Sequence, residues 1–261
     1  MDRNKFKLEV RHFDAIGPKK ATLLFIHGAW LSAWNWEPFF IPYFTNLGYE
    51  CTALSLRGHG NSQGSLKFSI TSDYVADVHE VAQSLDSPIL IGHSLGGLIA
   101  QLYAAQYPVR GLALLASVPP AGLMGITLRT AISHPLKLLK CFATWSLFPI
   151  VEDKDIARAL LFSRGPTQND KDSYVARLKS ESFLAFITGL LPVSRKAATN
   201  ADKKLVIGAK EDRAFTKKEM MQTANFYGVD PHFVEGSHML MLEDSWHETA
   251  ALIEQWLARN F

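Results

Sequence analysis

Short apolar segments of strand length recur through the first half of the chain and again near its end. They occupy residues 22–26, 50–54, 89–91, 112–115, 204–207 and 232–234. Glycine, proline or small polar residues bound them, a pattern typical of strands that are buried on both faces of a parallel sheet. The sequence therefore predicts a sheet that is mostly parallel.

Segments with helical periodicity separate these strands. They cover residues 36–47, 70–85, 98–107, 216–226 and 246–258. Regular alternation of strands and helices is the pattern of an α/β protein in which helices flank a parallel sheet. We therefore predict an α/β fold.

Residues 120–195 break the alternation, because they have helical periodicity but contain no clear strand. The stretch is rich in leucine, phenylalanine and alanine, and it is divided by Pro135, Pro149, Pro166 and Pro192. One interpretation is an inserted helical cap over a pocket at the carboxyl ends of the strands; the other is an extra helical layer packed on the core. We predict a core formed by residues 1–119 and 196–261 and a cap formed by residues 120–195.

Composition and charge limit the possible partners. Hydrophobic residues make up 48% of the 261 residues, which is enough for a large core, and the net charge of +2 does not favour nucleic acid. Lys137 and Lys140 interrupt the apolar run of residues 131–150, so no transmembrane helix and no integral membrane association are expected. The N-terminal segment lacks the apolar core of a signal peptide, and Cys51 and Cys141 are expected to be reduced. These features favour a cytoplasmic protein.

The most informative motif follows the strand at residues 89–91. Residues 92–97 read GHSLGG, and a helical segment comes next. In such a strand–turn–helix the serine is held in a sharp turn, and glycines are needed on both sides of it to avoid clashes. Ser94 is therefore the predicted nucleophile, and the N–H group of Leu95 is a predicted donor to an oxyanion.

A second oxyanion donor is expected from the loop after the first strand of the parallel set, which reads HGAW at residues 27–30. The N–H group of Ala29 is the first candidate, and that of Trp30 is the alternative. Trp30 and His93 are also candidates for contact with substrate, although the His93 side chain is expected to point away from that of Ser94.

The serine needs a base, and the base needs an acid to orient it. The chain has nine histidines, and only His238 and His247 follow the last predicted strand, where the order serine, acid, histidine places the base. His247 falls inside a predicted helix, so His238 is preferred. Glu211 and Asp212 both qualify as the acid; Asp212 is preferred because it lies deeper in its loop and has the shorter side chain.

At this point the chain resembles the α/β-hydrolase superfamily. The resemblance rests on HGAW, RGHGNS at residues 57–62, GHSLGG, GAKED at residues 208–212 and GSHMLMLE at residues 236–243, in the family's order. The first part of the chain is similar to the branch of plant-type methylesterases and hydroxynitrile lyases, and to bacterial esterases. The chain departs from the usual pattern at Ser55, where an aspartate is common, and at Ser245, where a proline is common.

The resemblance implies an eight-stranded, mostly parallel sheet with one antiparallel edge strand, and neither a metal nor an organic cofactor. It implies a carboxylic ester hydrolase that forms an acyl-enzyme on Ser94. The apolar side chains of the cap suggest a small to medium apolar ester. Three alternatives remain open: a lyase on the same triad, a perhydrolase, and a ligand-binding receptor on a hydrolase scaffold.

The polar face beside the cap's apolar residues has two interpretations. Lys137 and Lys140 lie next to leucines, as in a weak interfacial surface for lipid, but a solvated helix face has the same pattern. The solvated face is the simpler expectation. The sequence does not indicate an oligomeric state.

Overall fold

The computed structural model describes residues 7–164 and 171–261. Residues 1–6 of the predicted core and residues 165–170 of the predicted cap, including Pro166, lie outside the described residues. Seven strands form one sheet: β1 Glu9–Phe13, β2 Ala21–Ile26, β3 Tyr49–Ser55, β4 Ile89–His93, β5 Val109–Leu115, β6 Ala201–Ala209 and β7 Pro231–Val234. Their order across the sheet is β1-β3-β2-β4-β5-β6-β7. All six predicted strands are present, each slightly longer than its apolar run.

The sheet is parallel except at one edge. β1 pairs antiparallel with β3, and each of the other five pairings is parallel. The described residues thus form seven strands, whereas the resemblance implies eight. Only Lys7 and Leu8 of the described chain precede β1, so within the described ranges no segment is available to pair with the outer side of this edge.

Twelve α-helices accompany the sheet in the described part of the chain. They are α1 Phe40–Asn46, α2 Thr71–Ala82, α3 Leu95–Ala104, α4 Met124–Ser133, α5 Pro135–Thr144, α6 Phe148–Val151, α7 Lys154–Leu161, α8 Lys171–Ala176, α9 Phe183–Thr188, α10 Lys196–Asn200, α11 Lys217–Tyr227 and α12 Trp246–Asn260. Short 3₁₀ helices lie at Ala33–Trp36 and Leu66–Phe68. The helix predicted at residues 36–47 is therefore two elements, a 3₁₀ turn and α1.

Alternate residues of the central strands contribute to two separate cores, one on each face of the sheet. Leu23 and Phe25 of β2 belong to the core that includes Trp36 and α12. Leu24 and Ile26 of the same strand belong to the core that includes α2 and α3. Successive side chains of a strand point to opposite faces, so a continuous apolar run fills both layers. This arrangement confirms the predicted α/β class.

The described residues of the 120–195 stretch form six helices, α4 to α9, and contribute no strand to the sheet. Helix α5 begins with Pro135 at its first position, where the missing N–H costs nothing, and α7 is capped by Asp153. A single isolated bridge joins Ser146 to Ser182. Among the described residues, no helix is long and apolar enough to cross a membrane.

Candidate active site

Ser94 lies in the sharp turn between β4 and α3. Its backbone angles are φ 52° and ψ −118°, a strained conformation for a residue with a side chain. Such strain persists only where the surrounding structure enforces it. Here the N–H of Ser94 donates to the carbonyl of Leu115, and its own carbonyl accepts from Val118, which binds the turn to the residues after β5.

The glycines around the turn permit three close approaches. A Cβ at Gly92 would lie 2.7 Å from the carbonyl oxygen of Gly96, and one at Gly96 would lie 2.2 Å from that of Ile26. A Cβ at Gly28 would lie 2.9 Å from the Cβ of Ser94. The HGAW loop therefore packs against the serine turn at a distance that only glycine allows.

Three side chains form a continuous hydrogen-bonded chain behind the pocket. Ser94 Oγ lies 2.9 Å from Nε2 of His238, and His238 Nδ1 lies 3.0 Å from Oδ2 of Asp212. The carboxylate accepts the Nδ1 proton, so Nε2 is left as the acceptor of the serine hydroxyl. The structure thus brings together Ser94, His238 and Asp212, three residues from loops far apart in sequence.

Asp212 is held in place by its own loop. Its Oδ1 accepts hydrogen bonds from the N–H groups of Ala214 at 2.8 Å and Phe215 at 3.0 Å. Its side chain is 1% exposed, whereas Glu211 is exposed and contacts the histidine loop only through its backbone. Of the two acids left open by the sequence, Asp212 is the one that contacts His238.

The loop carrying His238 is anchored by Glu243. Its carboxylate accepts from the N–H of Ser237 at 3.1 Å and from the N–H and Oγ of Ser163 at 2.6 and 2.8 Å. The buried ammonium of Lys171 lies 3.3 Å from the same carboxylate. Since Ser163 and Lys171 belong to the 120–195 stretch, this stretch is bound directly to the histidine loop.

Two backbone N–H groups face the space in front of Ser94. Leu95 is the first residue of α3, so its N–H has no partner within the helix, and Ala29 follows Gly28 in the HGAW loop. Both residues line the same pocket as Ser94 and His238. Trp30 also lines the pocket; its φ of 64° turns the chain, its indole N–H donates to the carbonyl of Leu147, and its carbonyl accepts from Lys179.

The pocket in front of Ser94 is mainly apolar and contains about 740 Å³ of empty space, part of it open to solvent. The 120–195 stretch contributes much of its wall: Leu123, Ile126, Leu138, Leu147, Leu160 and Phe186. The core contributes Val118, Ala214 and Phe215. A neighbouring hollow shares Ile126, Thr130, Ile150 and Leu160 with the pocket and therefore adjoins it.

His93 does not lie on the pocket wall, so its proposed contact with substrate needs correction. The ring is 1% exposed, and its Nε2–H donates to the carbonyl of His238 at 3.0 Å. Burial, together with the neighbouring His238 and His27, lowers its pKa well below the ordinary value and keeps the ring neutral. As a buried strand residue beside the serine, its side chain turns away from Ser94 and supports the backbone of the histidine loop.

A buried polar network that the sequence analysis missed lies at the side of the pocket. Glu181, which is 1% exposed, accepts hydrogen bonds from His59 Nε2 at 3.0 Å and Tyr74 Oη at 2.8 Å. Burial opposes ionisation of both partners, but their mutual attraction and the hydrogen bonds to each of them together outweigh it: the pKa of His59 is raised and that of Glu181 is lowered. His59 belongs to the RGHGNS motif, so the sequence offered a signal for one half of this pair. Glu181 lies 122 positions away and belongs to no recognised motif, so the sequence offered none for the other half.

Within the described ranges, one group of side chains has the spacing of metal ligands. Ligand atoms of His12, Asp14 and Glu50 lie within 4.8 Å of one another. His12 and Asp14 are exposed, and all three residues are at or near the β1 edge of the sheet rather than at Ser94. The three residues lie apart from the hydrogen-bonded chain of Ser94, His238 and Asp212.

Both the sequence and the fold of this chain are similar to those of known proteins. The sequence model described as "Alpha/beta hydrolase family" matches residues 23–252. The chain is 33% identical over 110 residues to a bifunctional esterase/perhydrolase of Acinetobacter calcoaceticus, a match that covers 40% of each chain. It is 34% identical over 102 residues to protein phosphatase methylesterase 1 of Mus musculus, covering 37% of this chain and 26% of that protein. The chain thus matches less than half the length of either curated relative.

The fold extends over almost the whole chain. The solved structure of Rv0554 from Mycobacterium tuberculosis superimposes with a TM-score of 0.77 and covers 97% of this chain and 94% of that one, at 19% sequence identity. At this level of identity the likeness shows the fold.

Proposed function

Since the chain belongs to the α/β-hydrolase family, we propose that it is a serine hydrolase that cleaves carboxylic esters through an acyl-enzyme on Ser94. The observation that carries the proposal is the hydrogen-bonded chain from Ser94 Oγ through His238 to Asp212, with steps of 2.9 and 3.0 Å. The esterase relatives support ester hydrolysis in general. A nucleophile, a base and an orienting acid in this order are what acyl transfer requires.

In the proposed reaction, His238 Nε2 takes the hydroxyl proton as Ser94 Oγ attacks the ester carbonyl. Asp212 stabilises the imidazolium that forms, because its carboxylate already accepts the Nδ1 proton. His238 then donates the proton to the leaving alcohol. A water molecule, deprotonated by the same histidine, releases the acid and restores Ser94.

The N–H groups of Leu95 and Ala29 are the proposed oxyanion donors. Leu95 is at the amino end of α3, where the helix dipole also favours negative charge. Ala29 reaches this position because Gly28 allows its loop to approach the serine turn. Trp30, whose backbone carbonyl is bound to Lys179, is proposed as a wall of the substrate pocket instead of an oxyanion donor.

We propose that residues 120–195 act as a cap and that the substrate is a small to medium apolar ester. The support is the pocket wall, to which the cap contributes Ile126, Leu138 and Phe186 opposite Ser94. Apolar walls favour an apolar acyl or alcohol group, and a few polar groups orient it. Thr127, Thr130 and Glu181 are the polar cap residues on this wall.

A second candidate is perhydrolysis by the same residues. One relative is named as both an esterase and a perhydrolase. In that reaction hydrogen peroxide replaces water as the acceptor of the acyl group, so that the acyl-enzyme yields a peracid and free Ser94. The two activities share every step up to deacylation.

The decisive experiment measures turnover of p-nitrophenyl esters from acetate to laurate by the wild type, Ser94→Ala and Ser84→Ala. Ser84 is an exposed serine at the end of α2 and provides the matched control. We expect loss of turnover only in Ser94→Ala. In the wild type, the acyl chain length that gives the fastest turnover should reflect the length of the pocket. Addition of hydrogen peroxide tests for peracid. Absence of turnover with every ester in folded wild-type protein would reject the esterase and favour the lyase or the receptor.

A cytoplasmic location is also proposed. Cys51 and Cys141 are both free and buried, on β3 and α5. Unpaired buried cysteines are usual in a reducing compartment. Fractionation of cells that produce the protein tests this proposal.

A further inference from the structure

The outer side of the α4–α5 pair is apolar and exposed. We call it the outer face, formed by Leu128, Ile132, Leu136, Leu139, Phe142 and Trp145, whose exposures range from 44% to 84%. Exposed apolar residues are ordinary when they are scattered, but a continuous group marks a surface that meets another apolar phase. These six follow one another on two consecutive helices and the residue that ends the second.

Core packing accounts for only part of the outer face: the rings of Phe142 and Trp145 each lie 4.9 Å from the ring of the buried Phe183. The other four residues are 58% to 84% exposed. Ile126 and Thr130 of α4 and Leu138 of α5 line the pocket that contains Ser94. Leu128 and Ile132 are four residues apart and form a stripe on the opposite side of α4. Helix α4 thus has one side on the pocket and a second, apolar side facing solvent. On α5 the exposed Leu136 and Leu139, three residues apart, form the corresponding stripe.

The charged residues on the two helices themselves are all basic. Residues 121–151 include no aspartate or glutamate but contain Arg129, His134, Lys137 and Lys140. Lys67 lies across a shallow hollow that also includes Trp145. Glu152 pairs with Lys140, and Arg129 pairs with Glu219. The two helices therefore carry only basic charges, two of which, Arg129 and Lys140, are paired with acidic residues outside the helices.

We propose that the outer face docks on a lipid surface that carries anionic headgroups. An interfacial helix combines large apolar residues on one side with lysine or arginine at its border, and anionic lipid adds electrostatic attraction. A second copy of this chain fits less well, because two identical faces would bring their basic residues together. The surface is that of a peripheral contact and requires no membrane-spanning helix.

Docking of this kind would place the route to Ser94 beside the lipid. The hollow that adjoins the pocket is lined by Ser133 and His134, at the junction of α4 and α5 next to Ile132. An apolar ester dissolved in the lipid would reach the pocket with a short path through water. This consequence rests on the proposed esterase function, whereas docking itself does not.

The test is co-sedimentation of the full chain with vesicles of phosphatidylcholine alone or of equal parts phosphatidylcholine and phosphatidylglycerol. We expect the wild type to bind the mixed vesicles more tightly. Ile132→Ser and Ile16→Ser form a matched pair, since Ile16 is also exposed but lies on the loop that enters the amino end of β2, whereas α4 and α5 follow the carboxyl end of β5. Ile132→Ser combined with Leu136→Ser and Leu139→Ser should lower the partition coefficient about tenfold or more, and Ile16→Ser should leave it unchanged.

A charge variant tests the basic residues separately. The double variant Lys67→Gln/Lys140→Gln should weaken binding to mixed vesicles by about tenfold and have little effect on binding to phosphatidylcholine alone. Lys203 is exposed on β6, and Lys203→Gln should leave binding to both kinds of vesicle unchanged. The proposal is overturned if the wild type binds neither vesicle or if Ile132→Ser behaves as Ile16→Ser does. It is also overturned if ultracentrifugation shows a dimer that Ile132→Ser dissociates. None of these readings depends on ester turnover.

Discussion

The ammonium nitrogen of Lys171 lies 3.3 Å from Oε2 of Glu243, and both side chains are 1% exposed. This ion pair joins the start of α8 to the loop that carries His238. Glu243 also accepts a hydrogen bond from the N–H of Ser237, the residue before His238. A buried carboxylate with this many partners fixes the backbone around it, so Glu243 acts as a positioning residue for the proposed base.

Glu243→Gln should lower both kcat and stability. It removes the negative charge that pairs with Lys171 and weakens the acceptor of the hydrogen bonds from Ser163. Leaving a buried charge unpaired costs about 3–5 kcal/mol of unfolding free energy. A displaced His238 should lower kcat roughly 10- to 100-fold while KM changes little. Denaturant titration and ester kinetics measure the two effects, with Glu80→Gln on the exposed side of α2 as control. A stability loss with normal kcat in the folded fraction would assign Glu243 to folding alone.

Asp212→Asn should reduce kcat by about 10³- to 10⁴-fold, because an amide favours the wrong tautomer of His238 and stabilises the imidazolium less. The N–H bonds from Ala214 and Phe215 to Oδ1 can be kept, so the fold should survive. Glu211→Gln is the matched control, since its exposed carboxylate has no contact with His238. Ester kinetics of both variants decide between the two acids. Equal loss in both would contradict the assignment of Asp212.

The His59–Glu181 pair should make stability depend on pH. Burial acts to lower the pKa of His59, but attraction to Glu181 and the hydrogen bonds to the ring together raise it above 6.5. The contribution of His59 is therefore complete below 6.5 and is lost as the pH rises through the higher folded value. The pKa of Glu181 is lowered below 4.5, so its contribution is present above 4.5 and is lost as the pH falls through the lower folded value. The pair is therefore most stabilising between the ordinary pKa values of the two groups, 4.5 and 6.5.

The variant His59→Gln tests this window. Its deficit in unfolding free energy relative to the wild type should be largest near about pH 6 and should shrink toward about pH 9. Urea titrations at several pH values measure it. His134→Gln, at an exposed histidine between α4 and α5, should show no such trend. A deficit independent of pH would mean that the His59–Glu181 contact is held by hydrogen bonding between neutral groups.

Glu9 should stabilise the RGHGNS loop through its charge. Burial acts to raise its pKa, but hydrogen bonds from Ser55 Oγ at 2.6 Å, from the N–H and side chain of Asn61 and from Arg11 lower it to about 2. Its contribution is present above 4.5 and is lost as the pH falls through 2. Glu9→Gln should cost roughly 3 kcal/mol at most at neutral pH, and the gap should close in acid. Asp14→Asn, on the same edge and exposed, is the control for this acid titration.

The departure from the family pattern at Ser55 has a structural reason here. Ser55 Oγ donates to Glu9 and accepts from the N–H of Ala33. An aspartate at this position would bring a second carboxylate against Glu9, and the like charges would repel. Ser245 likewise uses its hydroxyl, which donates to the carbonyl of Glu235. Neither exchange was interpretable from sequence, because both depend on a partner brought close by folding.

Local pattern was sufficient for much of this protein. Continuous apolar runs placed the six parallel strands, since a strand buried on both faces needs apolar side chains at every position. The GHSLGG motif placed the serine turn, because steric exclusion at Gly92 and Gly96 is a property of neighbouring residues and their immediate surroundings. Ser94, Asp212 and His238 each follow a parallel strand, so the order of these loops predicted that the three residues lie together at the carboxyl ends of the strands.

Other features depended on contacts between distant parts of the chain. Only the tertiary structure set Asp212 against His238 in preference to Glu211, and turned the ring of His93 to the histidine loop instead of the pocket. Only folding paired Glu181 with His59. A helical period identifies which residues share a side of a helix, but not which side is covered. The outer face of α4 and α5 is exposed because other residues of these helices line the pocket. The helical period of the sequence does not indicate which side of a helix will do so.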